Sequence, residues 1–220
     1  MHAPSPLIIS VHIPKTAGSS FRDLLIRQFG GRACLDYDQK PLRHRSDGTP
    51  IPAVAVPQDA DCAVLHGHFV ADRVHLPAGI EPRYAVWLRH PVERVLSHYF
   101  FWRREPYLDQ PLCRRLIEQD LSADAFAADP AMRDLQRFFL GDLPAARLAS
   151  VGITERFAES IDRFNATFGT ELQGTVTANA NPEQSDGGYR RLIGERAYEA
   201  IAALNPKDMA LYEAVRRSYG

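Results

Sequence analysis

The 220-residue chain is poor in the features that would commit it to several large classes. Its three cysteines, Cys34, Cys62 and Cys113, are odd in number and widely spaced, and no CxxC pair occurs. That spacing suggests neither a zinc site nor a disulfide framework, and reduced thiols are the expectation. Neither sign of charge is in excess: 26 Lys and Arg stand against 27 Asp and Glu, a formal net charge of −1. Proteins that coat a nucleic-acid backbone carry a basic excess, so nucleic acid is not an expected partner, and any anion site has to be built from a few placed residues. No apolar run approaches the ~20 residues of a membrane span; the stretch Leu7 to Ile13 is far shorter and has no basic lead-in. A cytoplasmic protein without a membrane anchor is expected. Internal repeats and low-complexity tracts are missing as well.

What is present is ordinary globular material, 45% hydrophobic and 24% charged, enough for one domain over residues 1–220 with a full core. Leu7 to Ile13 is β-branched and apolar, which predicts a strand buried on both faces and stopped at Pro14. Phe21, Leu24, Leu25 and Phe29 share one face of a helix that ends at Gly30-Gly31, and Ser20 with Asp23 resembles a helix-start box. Residues 36 to 61, rich in Pro, Asp and Gly, read as a long irregular connection. Cys62 to His66 and Tyr84 to Leu88 are further strand candidates. Pro91 opens the clearest helix, with Val92, Val95, Leu96, Tyr99 and Phe100 at helical spacing. Short helices broken at Asp129-Pro130 and Gly141 follow, then a strand about Val151 to Ile153 and another at Thr175 to Ala178. An Asn/Pro/Gly-rich loop, Asn179 to Gly188, leads to closing helices over Tyr189–Ala203 and Pro206–Tyr219. Strands alternating with helices predict an α/β fold with a mostly parallel sheet flanked by helices, and ligands beyond the carboxyl ends of the strands.

Three segments fall at those strand ends. His12-Ile-Pro-Lys-Thr-Ala-Gly-Ser-Ser20 joins the first strand to the first helix. Small residues let backbone approach a ligand, helix-start amides favour an anion, Lys15 adds positive charge, and Thr16, Ser19 and Ser20 add hydroxyls. It is not the nucleotide P-loop GxxxxGK[ST], because Lys15 precedes the only glycine, Gly18. Leu88-Arg-His-Pro-Val-Glu-Arg-Val-Leu-Ser-His-Tyr99 sets Arg89 at a strand end and Ser97 further along the next helix, a guanidinium and a hydroxyl suited to phosphate. His66-Gly-His-Phe69 puts two imidazoles on one side of an extended chain, with Gly67 leaving room for another group to approach. Taken singly, the lysine could be a solvated loop residue, the Arg and Ser a helix surface, and the histidines hydrogen-bonded strand ends.

Together, IPKTAGSS and LRHPVERVLSHY resemble the two binding segments of sulfotransferases that use 3′-phosphoadenosine 5′-phosphosulfate (PAPS), and look especially like the carbohydrate branch of heparan sulfate and uronyl 2-O-sulfotransferases. The likeness spans about residues 7 to 168, with Val151-Gly-Ile-Thr-Glu155 echoing a later segment. It implies a three-layer, P-loop-like sulfotransferase fold with a central parallel sheet. It implies that Lys15, Thr16, Ala17, Gly18, Ser19 and Ser20 hold the 5′-phosphosulfate and that Arg89 and Ser97 hold the 3′-phosphate, with 3′,5′-bisphosphate (PAP) as product and no metal. A histidine base belongs to that branch, which makes His68 the expected base and His66 its support; histidine is matched to neutral pH for this work. The acceptor would be a hydroxyl on a sugar or small molecule. One departure is His90, where the branch has Asp. Two other readings compete: a kinase-type nucleotide phosphotransferase, which needs glycines this turn lacks, and a binding module that has lost transfer.

Overall fold

The computed structural model describes residues 7–57, 60–174 and 188–219. In chain order these form β1 (Leu7–Val11), α1 (Gly18–Phe29), β2 (Ala33–Asp36), α2 (Pro41–Asp47), β3 (Val54–Ala55), β4 (Val64–Gly67), β5 (Val74–His75), β6 (Pro82–Leu88) and α3 (Pro91–Arg104). Then follow α4 (Pro111–Glu118), α5 (Ala123–Ala128), α6 (Leu135–Leu140), β7 (Leu148–Ile153), α7 (Phe157–Phe168), α8 (Gly188–Ile193), α9 (Glu195–Ala203) and α10 (Pro206–Arg217). The fold is α/β, with a five-stranded parallel sheet in the order β2-β4-β1-β6-β7, flanked by helices. A separate two-stranded pairing joins β3 to β5. Two compact units result: the described residues within Met1–Pro41, Pro52–Leu88 and Phe139–Ala178, and those within Leu42–Ile51, Arg89–Phe138 and Asn179–Gly220.

The first unit holds the sheet. All five residues of β1, Leu-Ile-Ile-Ser-Val, are buried, as a β-branched central strand between two neighbours requires. Register pairs Ile8 with Val64 and Ser10 with His66 on one side, and Ser10 with Ala85 on the other. Side chains alternate along a strand, so Ile8, Ser10, Val64, His66, Ala85 and Trp87 share one face. The apolar part of that face packs against Phe21, Leu24 and Leu25 of α1 and Phe157, Ile161 and Phe164 of α7 in a single buried cluster. Burying each Leu, Ile or Phe side chain there contributes about 1.5–3 kcal/mol of transfer free energy. Toward the carboxyl ends the same face turns polar, at Ser10 and His66.

The second unit is helical. Two short helices cap each other: Asp134 Oδ1 accepts from the amides of Lys207 and Asp208 at 2.9 and 3.0 Å, and the Asp208 carboxylate accepts from those of Gln136 and Arg137 at 2.9 and 2.7 Å. Each carboxylate thereby satisfies helix-start donors of α10 or α6 that have no partner within their own helix. Arg94, 0% exposed, donates from Nη2 to Met132 O at 3.2 Å, while its Nε and Nη1 have no hydrogen-bond partner. Burial pushes this guanidinium down to about 10, offset in part by the nearby Asp208.

Several expectations are corrected. Cys34 and Cys62 are joined by a disulfide with 5.8 Å between Cα atoms, and only Cys113 is a free, buried thiol. The parallel pairing of β2 with β4 carries the two cysteines together, although 28 positions separate them in sequence. The helix-start box does not form: α1 begins at Gly18 behind Ala17 with no side-chain cap, and the Asp23 carboxylate accepts from Arg22 instead. The stretch 36 to 61 contains α2 and β3. The helix expected over Tyr189–Ala203 is two, α8 and α9, separated at Gly194, whose φ of 82° leaves the helical region. Thr175 to Ala178 and nearly all of the Asn179 to Gly188 loop lie outside the described residues. Among the described residues no helix is long and apolar enough to cross a membrane.

Candidate active site

In the first unit the site is built on the carboxyl ends of β1 and β4. Beyond the last paired residues, the His12 amide donates to Gly67 O at 2.8 Å and the His68 amide donates to Asp36 O at 2.9 Å, so both strands keep their alternation past their formal ends. Ser10, His12, His66 and His68 therefore emerge on one face. Ser10 Oγ and His66 Nδ1 share a hydrogen bond at 2.9 Å, and His12 Nδ1 shares one with Tyr37 Oη at 2.9 Å. The rings themselves touch: His12 lies 5.1 Å from His66 in a stacked arrangement and 4.4 Å from His68, and Tyr37 sits edge-on to His68 at 4.8 Å.

Crowding three imidazoles into a dry space disfavours their charged forms. Burial, then the neighbouring His68 and His66, holds His12 well below the ordinary imidazole value. Burial followed by the charge of His68 lowers His66 to about 3, and burial lowers His68 to about 4. All three are neutral near pH 7. The Nε2 atom of His68 is buried without a hydrogen-bond partner, while the Gly18 main chain lies against His66 and offsets part of its lowering. Burial raises Tyr37 to about 12, so its hydroxyl keeps its proton. Among the described residues no cluster of three or more His, Cys, Asp or Glu has the arrangement that would hold a metal ion.

Directly above this face runs the turn from β1 into α1. Lys15 and Ala17 take φ of 72° and 66°, the left-handed region that side-chain-bearing residues seldom adopt. Each costs about 1–3 kcal/mol, and such strain concentrates at ligand clamps. Left-handed residues alternating with ordinary ones are the backbone pattern that gathers successive N–H groups into an anion-binding concavity. Thr16 is buried and its Oγ1 donates to Ile13 O at 2.9 Å, closing the turn from inside. Gly18 opens α1 with its Cα against the His12 ring; a Cβ there would overlap the imidazole. Ser19 is half-buried and Ser20 buried in the first turn. The turn thus rests on the histidine face through the contact of Gly18 with His12.

Gly67 has a different reason from the one expected. A Cβ on it would meet the Asp36 carbonyl, so the missing side chain admits the neighbouring strand β2 and not a ligand.

In the second unit Arg89 is 9% exposed and follows the last residue of β6, and Ser97 is buried within α3. Pro91 occupies the first turn of α3, as its fixed φ favours. Gln136 engages both main-chain polar groups of Arg89: its Oε1 accepts from Arg89 N and its Nε2 donates to Arg89 O, both at 2.9 Å. His90 packs against Tyr198 and Tyr212, with ring centroids 6.0 and 5.4 Å away, and its Nδ1 is 3.3 Å from Tyr198 Oη.

Sequence reading assigned no role to His12, Tyr37 and Ser10 in the first unit, nor to Gln136 in the second. His12 carried a signal, standing two residues after Ser10 on a strand and three before Lys15. Tyr37 and Gln136 carried none, since both reach their partners across the fold.

No protein-family model matches the chain. No curated protein matches it either. Among solved structures it is similar to mouse sulfotransferase SULT7A1 complexed with PAP, with a TM-score of 0.37 and 12% sequence identity. That likeness covers 79% of this chain and 62% of the other, so this chain spans under two thirds of its length.

Proposed function

We propose that the protein is a PAPS-dependent sulfotransferase acting on an acceptor hydroxyl, as the carbohydrate-branch wording of its two segments suggests. The observation that carries this reading is the His12–Ser20 passage. A strained small-residue turn at a helix start, bearing Lys15, sits on a face of neutral buried imidazoles. The residues suit the donor. Gly18 lets the turn close onto the His12 ring, where a Cβ would overlap the imidazole, and the His68 Nε2 on the same face has no hydrogen-bond partner.

PAPS supplies the sulfuryl group: a new S–O bond forms to the acceptor oxygen as the bond from sulfur to the 5′-phosphate oxygen breaks, and PAP leaves with that electron pair. On this reading Lys15, Thr16, Ala17, Gly18, Ser19 and Ser20 hold the phosphosulfate, and Lys15 with the turn amides neutralises the charge that builds on the departing oxygen. His68 Nε2 takes the acceptor proton, being neutral and less buried than His66, whose Nδ1 is tied to Ser10. Arg89 and Ser97 hold the 3′-phosphate. That residues 1–220 form a single domain belongs to the same proposal. A sugar acceptor and a cytoplasmic place belong to the same proposal; a count of free thiols on native protein, three against one, tests the latter against the Cys34–Cys62 bond.

Calorimetric titration with PAP, with ATP plus Mg²⁺ as control, tests the donor. Binding of PAP without metal, weakened in Arg89→Ala, is the expected result. Silence toward PAP with uptake of ATP–Mg²⁺ would replace this reading with the kinase one.

A further inference from the structure

Arg89 is the first residue beyond the last rung of β6, where Leu88 pairs with Ile153. Its peptide N–H and C=O are engaged by one side chain. The Gln136 amide accepts from Arg89 N and donates to Arg89 O, each at 2.9 Å, and it is 0% exposed. Only this orientation of the amide works, because turning it over would set NH₂ against N–H and oxygen against oxygen. Gln136 is itself held, since its main-chain N–H donates to Asp208 Oδ2 at 2.9 Å, and Asp208 is 0% exposed. The Asp208 amide in turn donates to Asp134 at 3.0 Å, within the reciprocal caps of α6 and α10.

We propose that Gln136 is a positioning residue that fixes the Arg89 backbone so that its guanidinium can read a phosphate, a role that rests on the donor reading above. Both main-chain polar groups of one residue, in the peptide units on either side of its Cα, are locked by a buried side chain anchored in a capped helix start. Bidentate recognition by arginine depends on geometry, so freedom at its Cα is transmitted to the fork. The branch pattern has Asp after this arginine. Here His90 is turned toward Tyr198 and Tyr212, and the clamp comes from a residue 47 positions away.

The test compares PAP with adenosine 5′-monophosphate, which lacks the 3′-phosphate, by calorimetry on full-length wild type, Gln136→Leu, Gln136→Glu and Arg89→Ala. Removing partners from two buried backbone groups should cut the preference for PAP about tenfold in Gln136→Leu, leave affinity for the monophosphate within about twofold, and add little to Arg89→Ala in the double variant. Gln136→Glu keeps the acceptor for Arg89 N but loses the donor to Arg89 O, and should fall between; it carries the comparison should Gln136→Leu fail to fold. A wild-type preference retained in both Gln136 variants overturns the proposal. A wild type indifferent to the 3′-phosphate overturns the donor reading instead. The clamp then stands or falls on amide exchange at Arg89, expected to quicken about tenfold in Gln136→Leu; unchanged exchange overturns it.

Discussion

Two strand-to-helix passages, His12 to Ser20 and Leu88 to Val92, solve the same connection in opposite ways. The first bends its main chain into disfavoured territory at Lys15 and Ala17, starts its helix without a side-chain cap, and needs a glycine pressed against an imidazole. The second has no positive φ at all; Pro91 sets its first helical turn and the Gln136 amide secures the preceding peptide. On the proposed function, the contrast is between a backbone shaped to be the ligand-binding surface and a backbone held still so that side chains can bind. Helix-start amides serve an anion because they lack partners within the helix and aim together, and left-handed residues ahead of them add further donors to that set. A guanidinium and a hydroxyl on a helix need nothing unusual from the main chain beyond a fixed origin.

If that division is right, the largest effect comes from the one side-chain charge in the strained passage. Lys15→Ala should lower the rate of PAP release from PAPS about 10²–10³-fold, the loss typical of removing one group that stabilises developing negative charge. Arg89→Ala should act mainly on affinity. Wild-type turnover in Lys15→Ala would erase the functional side of the comparison.

The next largest effect is on stability and isolates the backbone. Gly18→Ala places a methyl in the His12 ring, and overpacking of this kind costs about 1–3 kcal/mol. Gly18→Ala/His12→Ala should recover most of that loss in thermal or urea unfolding, because the three atoms nearest to the added methyl all belong to His12. Equal loss in single and double variants would mean that the turn itself, not the imidazole beneath it, excludes the side chain.

Much of this was legible in the sequence. The β-branched run at Leu7, the helical spacing from Phe21 and from Val92, and the strand at Tyr84 specify the parallel sheet and its main helices, because burial forces periodicity on those residues. The two motifs and the His66-Gly-His68 pair were visible as chemistry. What stayed hidden is what the sheet order brings together. The strand β2 is a four-residue edge of mixed burial, so it left no apolar signature, and with it went Tyr37 and the Cys34–Cys62 bond. His12 looked like the end of an apolar strand until register set it between His66 and His68. Gln136 sits in the six-residue α6, and nothing local in the sequence distinguishes it from a surface glutamine.

The smallest effect is a slope. Imidazoles titrate near 6.5 in an unfolded chain, whereas burial holds His12 well below that value, His66 at about 3 and His68 at about 4. Between those limits the unfolded state binds more protons, so stability is complete above about pH 6.5 and is lost as pH falls, toward about 4 for His68 and further for His66. Each such group contributes up to about a tenfold change in the folding equilibrium per pH unit. The loss is felt first at the histidine face: near pH 5, amide exchange should quicken across His12–Gly18 while the start of α3, secured by the Gln136 hydrogen bonds, stays protected. His68→Phe should flatten the slope without adding a charge. An unfolding midpoint unchanged from pH 6.5 to 4.5 would mean that the histidine face admits water and protons freely, and the strained turn would then lose the dry floor on which its proposed grip on an anion depends.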